Sequence, residues 1–358
     1  MAKTIRLLAM GAVVAAQALL AAQGGDADKV LAAARQALGG EKKLDAVKSL
    51  AIEGRTLRIS PAGTSTESDF EVSIELPDRF MRRDAVVNMG NMSIYRNSGF
   101  NGEGLINEMD TPPQLAGGGN VVMFRTVGPG GATTTFSSGP GGATTAGTPP
   151  APEQQEAARR AALLSAKQDF ARIAIGMFAK SPAAYPLTMT FAGQAESPDG
   201  KADVIEVKGE GDFTARLFID ATTHLPLMLS WMAKEPLMLN RTVTAGPGGA
   251  TAVSVAGGAA THAPITQPSQ PGQAARASMT PEEREKLMKQ LDEQAKEAEA
   301  KRRVVEYRLF YGDYRPVDGV QIPHRLQRSI DGKPTEEVTF DKVKVNAKID
   351  PKKFTVSK

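Results

Sequence analysis

His224, His262 and His324 are the only histidines in the chain, and none stands in the H-x-x-x-H or H-E-x-x-H spacing that sets two imidazoles on one helix face around a metal. His262 falls in a stretch of low complexity, His224 in a turn, and His324 follows Pro323 beside a strand, so a structural role is the expectation for the last two. Cysteine is absent, which excludes disulfides, thiolate ligands, Cys nucleophiles and the lipid-bearing Cys of a bacterial lipoprotein. There is no G-x-S-x-G elbow, and Ser165 and Lys167 lie on the polar side of a predicted helix, where solvated side chains are expected. Asp220 with Glu206, and Asp313 with Asp318, are residue pairs of the type that general acid–base work needs. Their places in and beside turns make surface roles the ordinary reading. The hexapeptide GPGGAT occurs at 128–133, 139–144 and 246–251, but it lacks the Lys-Ser/Thr that ends a phosphate loop. Gly also fails to recur at every third residue, so a collagen repeat is excluded. These residues predict neither a metal nor another cofactor and no enzymatic activity, with the hexapeptides marking where the fold is interrupted.

The 358 residues are 41% hydrophobic, enough for a substantial core, and 43 Lys and Arg against 40 Asp and Glu leave a formal charge of only +3. So balanced a charge does not suit a nucleic-acid footprint. Lys3 and Arg6 precede an uncharged apolar run over 7–22, followed by small residues and Asp26. That is the layout of a secretory leader, with a cleavage point near Gly24. The mature chain is then expected to be soluble in the periplasm, stabilised by packing alone, and monomeric.

The elements that must position any site follow from hydrophobic periodicity. Val30, Leu31, Ala34 and Leu38 recur at helical spacing before a Gly39-Gly40 stop, and a short second helix follows through Leu44 and Val47. From Leu50 the period becomes two, and Phe70, Val72, Ile74 and Leu76 alternate with polar residues as in a half-buried strand. Further strands are expected over 80–87 and 92–95, with Asn97, Gly99, Asn101 and Gly102 as turn material. Pro152 opens a long helix to Lys180 whose face carries Leu163, Ala166, Phe170, Ile173 and Met177. Strands return over 187–232, broken at 197–200 and 220–224, and again over 304–345, where Asp331-Gly332 forms a hairpin turn. Two ranges, 126–151 and 241–279, collapse into Gly, Ala, Thr, Ser and Pro and are expected to be disordered insertions. Thr280-Pro281-Glu282-Glu283 caps a charged helix to Arg303, with acid-first pairs such as Glu297 to Lys301 and Glu299 to Arg303. The architecture expected is α+β: one antiparallel sheet interrupted by helices and two insertions. Its apolar face is assigned to Phe70, Val72, Ile74, Phe213, Leu217, Leu227, Leu229 and Trp231, read either as an ordinary core or as a cavity for a hydrophobic ligand.

Four stretches resemble the periplasmic LolA-like, outer-membrane lipoprotein-sorting proteins: ALGGEKKLDAVKSLAIEGRT (37–56), ELPDRFMRRD (75–84), LFIDATTHLPLMLSW (217–231) and the C-terminal run from Tyr311 to Phe354. The resemblance implies a single LolA-like domain over 25–358, an open half-closed β-barrel whose concave face is covered by helices and holds acyl chains. It implies a non-catalytic carrier of lipoproteins or other lipids, with the 152–180 helix as part of the cover. The alternative is an envelope sensor or interaction module on the same fold, meeting a membrane-protein partner through the 280–303 helix. Neither insertion nor the charged helix has a counterpart in the family pattern.

Overall fold

The computed structural model describes residues 24–60, 63–89, 92–110, 123–127, 133–135, 152–198, 200–235, 237–245, 251–259, 289, 293, 297 and 299–356. The expected leader lies outside the described residues except for Gly24, and so does much of the two low-complexity ranges and of the charged helix. The elements that the described residues delimit are, in order, α1 (Gly24–Ala37), α2 (Glu41–Asp45), β1 (Ser49–Ile59), β2 (Ser65–Glu75), β3 (Arg79–Met89), β4 (Met92–Asn101), β5 (Gly104–Asp110), β6 (Met123–Val127), β7 (Thr133–Thr135), α3 (Pro152–Phe178), β8 (Thr188–Ser197), β9 (Gly200–Gly209), β10 (Phe213–Asp220), β11 (Pro226–Lys234), β12 (Leu237–Ala245), β13 (Thr251–Ala259), β14 (Val304–Val317), β15 (Val320–Ile330) and β16 (Lys333–Val345), before a 3-10 turn at Pro351–Phe354.

Twelve strands form one sheet in the order β5-β4-β3-β2-β1-β16-β15-β14-β11-β10-β9-β8. The pairs between sequential strands are antiparallel, and the order ends at two edges, so the sheet is open, as the α+β reading expects. By its internal contacts the chain divides into two compact units: the first holds residues 1–47, 171–232 and 306–339, the second 48–170, 233–305 and 340–358.

In the first unit α1 buries Ala27, Leu31 and Ala34, and Leu38 just beyond its end continues the stripe at helical spacing. It stops where Gly39 and Gly40 take φ of 129° and 90°, a region that glycine enters without a Cβ penalty. A Cβ on Gly39 would also fall 2.5 Å from the Gly319 carbonyl, so the helix end sits directly on the β14–β15 turn. That turn, Asp318-Gly319, and the one at Asp331-Gly332 both carry two positive φ values, the backbone of the tight hairpin turns that Asp-Gly favours.

In the second unit the register pairs Leu50 with Ile74, Ile52 with Val72, and Gly54 with Phe70. All but Gly54 are among the buried hydrophobic residues, because period-two alternation sends them to one face. Asn97 and Gly99 belong to β4, not to the turn expected from their types. Gly99 is there because β3 comes so close that a Cβ would lie 2.0 Å from the Phe80 carbonyl. Strand β5 follows the true turn at 102–103; it had no sequence signal because only Leu105, Ile106 and Met109 are large and apolar in it.

Parts of the two low-complexity ranges are among the described residues. Strands β6, β7, β12 and β13 form a four-stranded sheet in the order β13-β12-β6-β7, which takes in Thr126, Val127, 133–135, 241–245 and 251–259. Val127 pairs with Thr133 and Ala245 with Thr251, so the first and third GPGGAT each join two paired strands in the same register. Residues 128–132 and 246–250 of these copies, like the whole second copy, lie outside the described residues.

Candidate functional site

The eight residues assigned to the apolar face divide between the units. Phe70, Val72 and Ile74 alternate along β2 in the second unit, each buried. The Phe70 ring meets that of Phe340 at 6.0 Å. Farther along this face Phe170, near the middle of α3, closes on Phe80 at 5.3 Å and on Phe100 at 5.6 Å. Residues 152–161 of α3 are exposed while Phe170, Ala171, Ala174, Ile175 and Met177 are buried, because Glu, Gln, Arg and Ala give way to apolar residues along the helix.

Phe213, Leu217, Leu229 and Trp231 are buried in the first unit, whereas Leu227 is half-buried. Leu217 pairs with Leu229 across β10 and β11. Trp231 stacks on Tyr307 at 5.4 Å and 13°. Sequence reasoning missed the residue at their centre. Arg172, only 7% exposed, lays its guanidinium 5.0 Å from the Phe213 ring and 4.6 Å from the Trp231 ring, a cation–π clamp suited to its planar, weakly hydrated charge. Tyr311 Oη donates to the Arg172 carbonyl at 2.5 Å, and Tyr314 Oη donates to the Pro226 carbonyl at 2.9 Å. Burial pushes both phenols well above their ordinary pKa.

At the far end of the face bearing Val72 and Phe70, the second unit turns polar. Arg82 donates to both carboxylate oxygens of Asp84 at 2.8 to 3.0 Å and to Thr56 Oγ1 at 3.3 Å. Arg58 approaches the same carboxylate at 3.6 Å. Register puts Arg96 opposite Asp84, and desolvation lowers its pKa, with Asp84 and Asp169 opposing and Arg58 and Arg82 assisting. Thr56 pairs with Ser68, whose buried Oγ has no hydrogen-bond partner among the described residues. Three strands contribute one arginine each, 14 to 38 residues apart in sequence, so no local motif announces the cluster.

Glu206 and Asp220 are not brought together. Glu206 pairs with Arg216 and Asp220 with Ala202, four residues apart along the ladder or about 13 Å. Asp220 instead accepts from the backbone N–H groups of Thr222 and Thr223 at 2.9 and 2.6 Å, and Asp313 is bound to Arg315 at 2.5 Å. His324 is buried with Nδ1 2.9 Å from the Ile322 carbonyl, a structural placement. Lys167 is not the solvated group expected: it is 14% exposed and pairs with Glu103 at 2.5 Å. Glu297 pairs with Lys301 as anticipated, at 3.6 Å. Glu299 turns to Arg302 at 2.7 Å rather than to Arg303, because the helical conformation gives way to a turn at Lys301. Among the described residues no group of three His, Cys, Asp or Glu could hold a metal, and no helix is long and apolar enough to cross a membrane.

No family model matches the chain, and no curated protein matches it in sequence. Among solved structures it is similar to a LolA superfamily protein from Nitrosomonas europaea, at 9% identity and a TM-score of 0.41 over 92% of this chain and 97% of that one. A DUF1329 family protein from Desulfovibrio piger aligns at 8% identity and a TM-score of 0.40, again over 92% of this chain and 97% of that one. A protein domain described as outer membrane lipoprotein-sorting, from Vibrio parahaemolyticus, aligns over the same shares at 9% identity and a TM-score of 0.39.

Proposed function

We propose that the chain is a periplasmic carrier that sequesters acyl chains of lipoproteins or other lipids without catalysis. The observation that carries this reading is the open twelve-stranded antiparallel sheet with an apolar face closed in the second unit by Phe170 of α3 on Phe80 and Phe100. A sheet left open along both edges can part from its covering helix without breaking a barrel. Each methylene then buried is worth about 0.8 kcal/mol, so a dry apolar face suffices and no catalytic group is needed. The four stretches resembling the LolA-like carriers support the same reading. Phe70, Val72 and Ile74 would line the acyl site in the second unit, and Phe213, Leu217, Leu227, Leu229 and Trp231 would support the sheet in the first.

Titrating delipidated protein with an environment-sensitive fluorescent fatty acid tests the proposal. Saturable binding that weakens severalfold in Phe170→Trp, where the closing residue is enlarged, is the expected result. Fluorescence unchanged at all protein concentrations would rule out the carrier and leave the sensor or interaction module as the reading.

A further inference from the structure

The β1–β4 face of the second unit carries two chemistries in series. Val72, Ile74, Phe80 and Phe100 occupy one end, all buried. Thr56, Arg58, Ser68, Arg82, Asp84 and Arg96 occupy the other, and Phe70 joins the two with the Arg82 guanidinium 5.2 Å above its ring. Like charges brought this close in a partly buried setting repel, and the Asp84 carboxylate lies between Arg82 and Arg58. Arg82 and Asp84 have side chains only 18% and 11% exposed, and Arg58 is 37% exposed, so access to the cluster is from the Arg58 side. Asp84 and Asp169 act on Arg96 as opposite charges, and Arg58 and Arg82 as like charges. Ser68, 6% exposed, adds a buried hydroxyl with no hydrogen-bond partner among the described residues. It is held beside the Thr56 that Arg82 already contacts. Guanidinium forks match the oxygens of a phosphate or carboxylate, and a hydroxyl completes such a site as a further donor.

We propose that this face takes an anionic amphiphile: its phosphate or carboxylate is held by Arg58, Arg96 and the Ser68 hydroxyl beside the Arg82–Asp84 pair, and its tail runs toward Phe80 and Phe100. The proposal rests on the carrier reading for the tail and adds the headgroup class. Asp84 keeps Arg82 fixed, so the pair stands as a preset wall beside the incoming anion.

The test is calorimetric titration of the delipidated full chain with oleoyl lysophosphatidate, with monooleoylglycerol, which has the same tail and no charge, and with inorganic phosphate. The expected result is lysophosphatidate binding at least about tenfold tighter than the neutral lipid, with the preference lost in Arg58→Gln. Arg58→Lys, which keeps the charge and loses the fork, should retain part of it and serves if Arg58→Gln does not fold by circular dichroism. Equal binding of both lipids, unchanged in the variants, overturns the headgroup site and leaves the carrier standing. Binding of inorganic phosphate alone, weakened in Arg58→Gln, keeps the anion site with a free anion as its source and overturns the carrier. Binding of none of the three overturns both.

Discussion

Tyr311 carries its phenol in the interior, where the neutral form donates to the Arg172 carbonyl at 2.5 Å and a phenolate would have no solvation. Burial raises the folded-state pKa of Tyr311 and of Tyr314 above their ordinary value, so their contribution to stability is fully present below the unfolded-state value of about 10 and is lost as pH rises beyond it. The melting temperature should therefore hold steady from pH 7 to 9 and fall above about 10. Tyr311→Phe should fall less steeply there but start lower, by about 1 to 3 kcal/mol at neutral pH, because a buried carbonyl loses its donor. Thermal melts across pH check both halves. Asp220 has the opposite sign: hydrogen bonds from the Thr223 and Thr222 backbone lower its pKa. Its contribution is present above the usual carboxylate range and lost on acidification. Asp220→Ala should cost about 1 kcal/mol at pH 7 and progressively less as pH falls below the usual aspartate value, measured by urea unfolding. The Asp-x-x-Thr turn was legible in sequence because its side chains act on their own backbone. Arg172 was not, since a charged residue in a helix reads as solvent-facing until the rings of Phe213 and Trp231 are placed around it.

Helix α3 shows what elements add to residues. Its existence follows from Pro152 and the apolar recurrence through Phe170 and Met177, but its close seat does not. A Cβ on Gly176 would lie 2.1 Å from the Tyr311 ring, so this glycine sets how near the helix comes to β14. Gly176→Ala should destabilise by about 1 to 3 kcal/mol through overpacking, despite the better helix propensity of alanine. A melting temperature equal to or above that of the parent protein would contradict the seating described. Glycine at Gly99 does the same for β4 on β3. Gly99 reads in sequence as turn material because close approach is a property of two elements at once. Strands β1 and β2 were legible for the converse reason, each alternating on its own account. The strands flanking the first and third GPGGAT were not, because their ladders rest on backbone pairing with few large side chains to signal it.

Over the whole molecule, the open antiparallel sheet was legible because alternation, the Asp-Gly turns and the helix stop at Gly39-Gly40 all agree. The polar end of the β1–β4 face was hidden, since Arg58, Arg82 and Arg96 meet only through the register of four strands. Carriage of an acyl ligand is the claim on which the functional account stands, and native mass spectrometry of protein purified from the cell envelope tests it most directly. The account expects a population heavier than the apoprotein by the mass of a lipid or acylated peptide, released as fatty acyl species on extraction. Protein that flies only at its apoprotein mass, and yields no acyl species on extraction, would contradict it.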